Sequence, residues 1–192
     1  MEQQPALTEQ ARAAWSSFLH PGSWALDATA GNGRDTAALA AAVSPGGRVF
    51  ALDIQEDALR RTAALLEKQH LLDAVTLING DHGKLRDYLP CAVRGRIDLA
   101  CFNLGYLPGS DHALVTQPES TLSALQESLR LLAPAGALSV IAYRGHQGAL
   151  EEARLVQAFF ETLPAPWKCR QLVATGSDRR PGPVWFLASG AP

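Results

Sequence analysis

Apolar residues follow two alternating rhythms along the chain. Short runs are almost wholly apolar, and longer stretches repeat apolar positions every three or four residues. The first rhythm suits strands buried on both faces and the second suits helices with one buried stripe; their alternation marks an α/β fold. The spacing predicts a first helix over 6–19, stopped by His20-Pro21-Gly22, then a buried strand over 24–28. A glycine turn at 31–33 opens an alanine-rich helix that ends at Ser44-Pro45-Gly46-Gly47. A second strand over 48–54 (R-V-F-A-L-D-I), a helix over 56–70, a third strand over 74–80 and a short helix over 84–89 follow. The fourth strand, 97–103 (I-D-L-A-C-F-N), runs into a Gly- and Pro-containing loop at 105–109. A helix over 121–132 ends before Pro134-Ala135-Gly136, which reads as a breaker ahead of a fifth strand at 137–143. A helix over 149–162 is closed by Pro164 and Pro166, and strands at 170–174 and 184–188 flank a polar loop that suggests a hairpin. Seven strands result. Parallel strands joined by helices cross over right-handedly, so the sheet is doubly wound with helices on both faces, closed by an antiparallel C-terminal hairpin.

Composition narrows this without redirecting it. The 192 residues, 47% hydrophobic and 19% charged, suit one globular domain: an N-terminal helix over 1–22 and a Rossmann-like core over 23–192. A net charge of −2 provides no global basic field, so any RNA partner is held by a local patch. Cys91, Cys101 and Cys169 lack the spacing of a disulfide framework or a zinc site, so no metal is expected. The start, Met1-Glu2-Gln3-Gln4-Pro5, has no signal-peptide character, and no apolar stretch approaches the roughly 20 residues of a membrane span. A cytoplasmic protein with no membrane partner is expected.

The segment Leu26-Asp27-Ala28-Thr29-Ala30-Gly31-Asn32-Gly33 carries the first chemistry. A strand entering a Gly-x-Gly turn that opens a helix lets a ligand approach the backbone, although two glycines also simply make a tight turn. A dinucleotide loop wants a third glycine where Thr36 stands, and Asp27 at the strand end would face a pyrophosphate unfavourably. S-adenosylmethionine has no phosphate and carries positive charge, so an acid there favours it over NAD. Asp53 ends the next strand, 20 residues beyond Gly33, where a carboxylate accepts ribose hydroxyls; its alternative is a helix cap. Asp81 and His82 end the third strand, where an adenine contact is expected, or else Asp81 forms a turn. The set expected to hold the cofactor is Asp27, Thr29, Gly31, Asn32, Gly33, Asp35, Thr36, Asp53, Gln55, Asp81, His82 and Asn103.

Phe102-Asn103-Leu104-Gly105-Tyr106-Leu107-Pro108-Gly109 closes strand four beside the same crevice. An amine attacks a methyl group only with a free lone pair, so acceptors must hold its hydrogens. The Asn103 side-chain oxygen and the Leu104 carbonyl suit that task, and Tyr106 can stack a planar base. The alternative is a polar strand cap with a core tyrosine.

D-A-T-A-G-N-G-R-D-T at 27–36, F-A-L-D-I-Q at 50–55, F-N-L-G-Y-L-P-G at 102–109, T-Q-P-E-S-T at 116–121 and Y-R-G-H at 143–146 occur in this order. Together they resemble the bacterial tRNA 5-aminomethyl-2-thiouridine methyltransferases, a class I group formerly labelled rRNA methylases. The resemblance implies methyl transfer from S-adenosylmethionine to the exocyclic amine of 5-aminomethyl(-2-thio)uridine at the tRNA wobble position. Arg34 and Arg144 stand where histidine is common in that group, so no catalytic histidine is assigned there. Asn103 and Tyr106 are expected to position the substrate, with Asp111 or His146 taking the proton. Phosphate contacts are expected from Arg144, Lys168, Arg170, Arg179 and Arg180, and from Lys84 or Arg86, with a homodimer as one way to extend the grip on an anticodon arm. Competing readings are a methyltransferase acting on rRNA, a small amine or a protein side chain, and a cofactor-binding protein without catalysis.

Overall fold

Thirteen regular elements alternate among the described residues of this computed structural model, which are 5–105, 117–145, 148–174 and 181–190. In chain order they are α1 (Leu7–Trp15), β1 (Trp24–Asp27), α2 (Arg34–Val43), β2 (Arg48–Asp53), α3 (Glu56–Lys68), β3 (Val75–Asn79) and α4 (Leu85–Tyr88). Then come β4 (Ile97–Leu104), α5 (Pro118–Leu131), β5 (Leu132–Ala142), α6 (Ala149–Glu161), β6 (Lys168–Val173) and β7 (Val184–Ser189). The strands form one sheet in the order β3-β2-β1-β4-β5-β7-β6. β1 to β5 pair in parallel, and β7 pairs antiparallel with both β5 and β6. The doubly wound sheet with a C-terminal hairpin is therefore present as the hydrophobic rhythm implies.

Alternation along each strand divides the core into two layers. Leu26, Phe50, Phe102, Leu138 and Phe186 face one way, packing with Leu85 of α4, Leu125 of α5 and Phe160 of α6. Ala25, Val49, Leu99, Cys101 and Leu187 face the other way, packing with Trp15 of α1, Leu39 and Val43 of α2 and Leu66 of α3. The indole N–H groups of Trp15 and Trp185 both donate to Ser139 Oγ, each at 3.0 Å. This buried hydroxyl fixes α1 against β5 and β7. On the opposite face the Thr121 hydroxyl donates to Glu152 Oε1 at 2.6 Å, joining α5 to α6.

The start of β5 departs from expectation for a clear reason. Pro134-Ala135-Gly136 does not precede the fifth strand as a loop; it lies inside β5, which leaves α5 directly at Leu132. The register against β4 slips between Ile97 and Leu99, so the segment is an irregular start to the strand. A Cβ on Gly136 would lie 2.8 Å from the Ile97 carbonyl oxygen, so this glycine serves close strand approach rather than helix termination. α1 also stops at Trp15, before the breaker at His20-Pro21-Gly22, with residues 16–18 in a turn.

Candidate active site

β1 lies between β2 and β4, so connections leaving β1 and β4 pass to opposite faces and open a crevice at the carboxyl ends of the strands. The cavity there has a volume of about 500 Å³ and receives residues from β1, β2, β3, β4, β5, α1 and α5 or their following loops. Across the crevice the Asn103 backbone N–H donates to Thr29 Oγ1 at 2.7 Å, tying the β1 loop to β4.

The glycine loop is held mainly from beneath. Asp27 is completely buried, accepting from Thr29 N–H at 3.1 Å and from the Thr36 hydroxyl at 2.6 Å. Burial, helped by the Asp35 charge, pushes its carboxyl up to about 7. Asp27 and Thr36 are therefore behind the cavity wall, and the expected direct attraction of Asp27 for a cationic ligand does not arise from this placement. Gly33 is not on the wall either. Its φ is +78°, and an added Cβ would lie 2.9 Å from Thr62 Cα, so the missing side chain lets α2 start against α3. Thr62 also donates to the Gly31 carbonyl at 3.1 Å.

The wall itself carries Thr29, Gly31, Asn32, Asp35, Asp53, Gln55, Asp81, His82 and Asn103 from the sequence-expected set. Asp53 is oriented by two backbone donors: Gly31 N–H to Oδ2 at 2.8 Å and Gln55 N–H to Oδ1 at 2.9 Å. Beside it Ile54 is 61% exposed, leaving a bare aliphatic face at the cavity. Asp81 accepts from Gly83 N–H at 2.8 Å, so the turn-forming role and the wall position coexist. His82 packs edge-on against Phe102, and burial holds its imidazole below the ordinary histidine value, in the neutral form at pH 7.

On the same wall three side chains are linked. Arg12 Nε donates to Asp35 Oδ1 at 2.5 Å, and Asn103 Nδ2 donates to Asp35 Oδ2 at 2.5 Å. Asn103 Oδ1 is buried and has no partner. A buried acceptor left unmatched costs free energy unless something else supplies a donor. Gly105 and Tyr143 line the same cavity close to one another, and burial with the Asp35 charge pushes the Tyr143 phenol up, keeping it protonated.

Tyr106, Asp111, His146, Arg179 and Arg180 lie outside the described residues. Arg144 is engaged, its Nε donating to the Gly182 carbonyl at 2.6 Å, while Lys168 and Arg170 lie exposed on β6. Wall residues that the sequence reading did not single out include Thr8, Arg12, Ile54, Gln117, Ser120 and Tyr143. For Thr8 and Arg12 the available signal was their i,i+4 spacing on a helix whose apolar face is Leu7, Ala11 and Trp15. Among the described residues no cluster of His, Cys, Asp and Glu side chains is placed to hold a metal ion. No described helix is long and apolar enough to cross a membrane.

The family model described as "Putative rRNA methylase" matches residues 49–187. The chain is 39% identical over 171 residues to the chloroplastic tRNA (mnm5s2U34)-methyltransferase of Arabidopsis thaliana, covering 84% of this chain. It spans 62% of the length of that relative. The crystal structure of a Clostridium thermocellum protein described as a "putative rRNA-methylase" superimposes with a TM-score of 0.89 at 32% identity, over 98% of this chain and 99% of that one. A methyltransferase from Streptococcus mutans, solved in complex with SAH, gives a TM-score of 0.83 at 30% identity over the same shares.

Proposed function

From the premise that the chain belongs to the family described as putative rRNA methylases and has the class I methyltransferase fold, we propose that it N-methylates a primary amine on tRNA. The cofactor of this reading is S-adenosylmethionine, and the substrate is the exocyclic amine of 5-aminomethyl(-2-thio)uridine at the wobble position of the anticodon arm. The named activity of the Arabidopsis relative and the SAH bound to the Streptococcus mutans neighbour support it. In this chain the observation that carries it is the buried, partnerless Oδ1 of Asn103, a residue of the cavity wall.

The wall suits a cationic, phosphate-free ligand. Asp53 and Asp81 line it, the third wall carboxylate, Asp35, being matched by Arg12, and the Gly31 N–H, which could have met a phosphate, is spent on Asp53. Asp53, held from two sides, would accept ribose hydroxyls; Ile54 and His82 would pack the adenine; Asn32 and Gln55 flank these groups. When bound, S-adenosylmethionine supplies a methyl group activated by a sulfonium leaving group.

The chain's own contribution to the chemistry is positioning. Asn103 Oδ1 accepts a hydrogen of the incoming amine, which leaves the nitrogen lone pair free along the attack direction. The Tyr143 phenol, half-exposed beside Gly105, offers the uracil an edge to pack on. The nitrogen–carbon bond forms as the carbon–sulfur bond breaks, and the departing amine proton passes to Asp111, His146 or water. Arg34, exposed at the cavity mouth, supplies a phosphate contact on this reading. A homodimer would extend the RNA grip, and the cytoplasm is the compartment proposed.

The decisive assay is transfer of labelled methyl to tRNA bearing 5-aminomethyluridine, read by nucleoside mass spectrometry. The expected result is a gain of one methyl on that uridine. Asn103→Ala should lower kcat by about 100-fold, with S-adenosylmethionine Kd changed by less than about threefold. Equal losses of both would remove Asn103 from the substrate role, and transfer only to rRNA or a free amine would reassign the substrate.

A further inference from the structure

Arg12 and Asp35 touch the cavity but hold no step of the reaction above, and their geometry concerns Asn103. A carboxamide presents two ends that are similar in size and opposite in hydrogen-bonding sense. A carboxylate only accepts, so the end of Asn103 turned to Asp35 is its NH2 group, as the 2.5 Å contact with Nδ2 shows. The oxygen must then point the other way, and it is the atom left without a partner. The Asn103 main chain is fixed as well, through its N–H on Thr29 Oγ1 at 2.7 Å.

Asp35 is itself constrained. It sits in the first turn of α2, 8% exposed, with one oxygen taken by Asn103 and the other by Arg12. Arg12 comes from α1, one turn before Trp15, whose indole N–H is anchored on Ser139. A surface helix thus reaches through a guanidinium and a carboxylate to the amide at the centre of the crevice.

We propose that Arg12 and Asp35 are positioning residues that lock the Asn103 amide with its oxygen toward the substrate, so that the site selects a hydrogen-donating nucleophile, a primary amine. This rests on the methyltransferase reading for the identity of the nucleophile, while the lock itself does not. Without Asp35 the two amide orientations become similar in energy, and the flipped one sets N–H against N–H.

Two measurements on the full chain test it. The first is steady-state methyl transfer to aminomethyl-bearing tRNA, with S-adenosylmethionine affinity from calorimetry. Asp35→Ala should lower kcat by about 10- to 100-fold with Kd within about threefold, and Arg12→Ala should act in the same direction more weakly. Arg12→Lys should recover part of the loss, because an ammonium donates to Asp35 without the planar fork. In the Asn103→Ala background, Asp35→Ala should cost nothing more. An undiminished second loss there would overturn the proposal, since a merely structural residue would still exact its cost. The second measurement needs no substrate: the 15N–1H signals of the Asn103 carboxamide, assigned by their absence in Asn103→Ala. They should exchange slowly with water and be well separated in the native protein, and merge and exchange faster in Asp35→Ala and in the milder Asp35→Asn. Unchanged signals in folded variants would sink the lock. Native protein inert on tRNA, with signals that still respond to Asp35, would instead defeat the functional reading and leave the lock standing.

Discussion

Asp27 shows how far a residue's role departs from its type. An acid at a strand end invites a ligand-facing role, but the chain places it under the loop, with Thr29 and Thr36 as its hydrogen-bond donors. Its carboxyl, raised first by burial and then by Asp35, titrates at about 7 in the folded protein and about 4 in the unfolded chain. Between those values the folded state holds a proton that the unfolded state has lost. Stability from this group is thus full at acid pH, falls as pH rises through about 7, and is level above. Denaturant unfolding at pH 5 and pH 8 should show Asp27→Asn losing about 1–3 kcal/mol less than the native chain over that interval. Equal slopes would mean that the carboxylate is compensated in place. Ile54 makes the complementary case, an exposed aliphatic residue whose position beside Asp53 gives it a use.

At the scale of elements, α1 is tied to the sheet by the Ser139 hydroxyl, which serves two indoles, alongside its apolar face and the Arg12–Asp35 pair. Ser139→Ala would strand the N–H groups of Trp15 and Trp185 against the sheet. A loss of about 1–3 kcal/mol is expected from the denaturation midpoint, accompanied by lower kcat because α1 carries Arg12. Thr121 and Glu152 play a comparable part between α5 and α6. The elements were legible because strands buried on both faces are nearly all apolar and the helices carry one apolar stripe. Pro134-Ala135-Gly136 lies in a strand for an equally physical reason: helix breakers and strand irregularities draw on the same residues, and only the nearness of Ile97 distinguishes them. A Gly-x-Gly turn suggests ligand approach at Gly33, whereas the surface it accommodates is Thr62 of α3.

Across the whole molecule, the order β3-β2-β1-β4-β5-β7-β6 brings the β1 and β4 loops face to face, and the site follows from that adjacency. With a net charge of −2, the proposed tRNA binding would rest on few local cations such as Arg34, exposed on the cavity lining. Affinity should fall as salt rises, and Arg34→Ala should reduce the slope of log K against log salt by about 0.7–0.9. Filter binding across a salt series measures this; an unchanged slope would place Arg34 away from phosphate.

The sequence by itself determined the succession of strands and helices, the parallel core with its closing hairpin, and the strand ends at which Asp53, Asp81 and Asn103 stand. Each depends on local periodicity and turn chemistry, which are written in consecutive residues. Tertiary structure alone decided that Asp27 and Thr36 lie behind the wall, that Gly33 serves α3, and that Arg12 reaches Asp35 and through it Asn103. Those contacts join residues 23 and 68 positions apart. Their partners are chosen by how α1 and α2 dock on the sheet, a choice made by packing that no local pattern encodes.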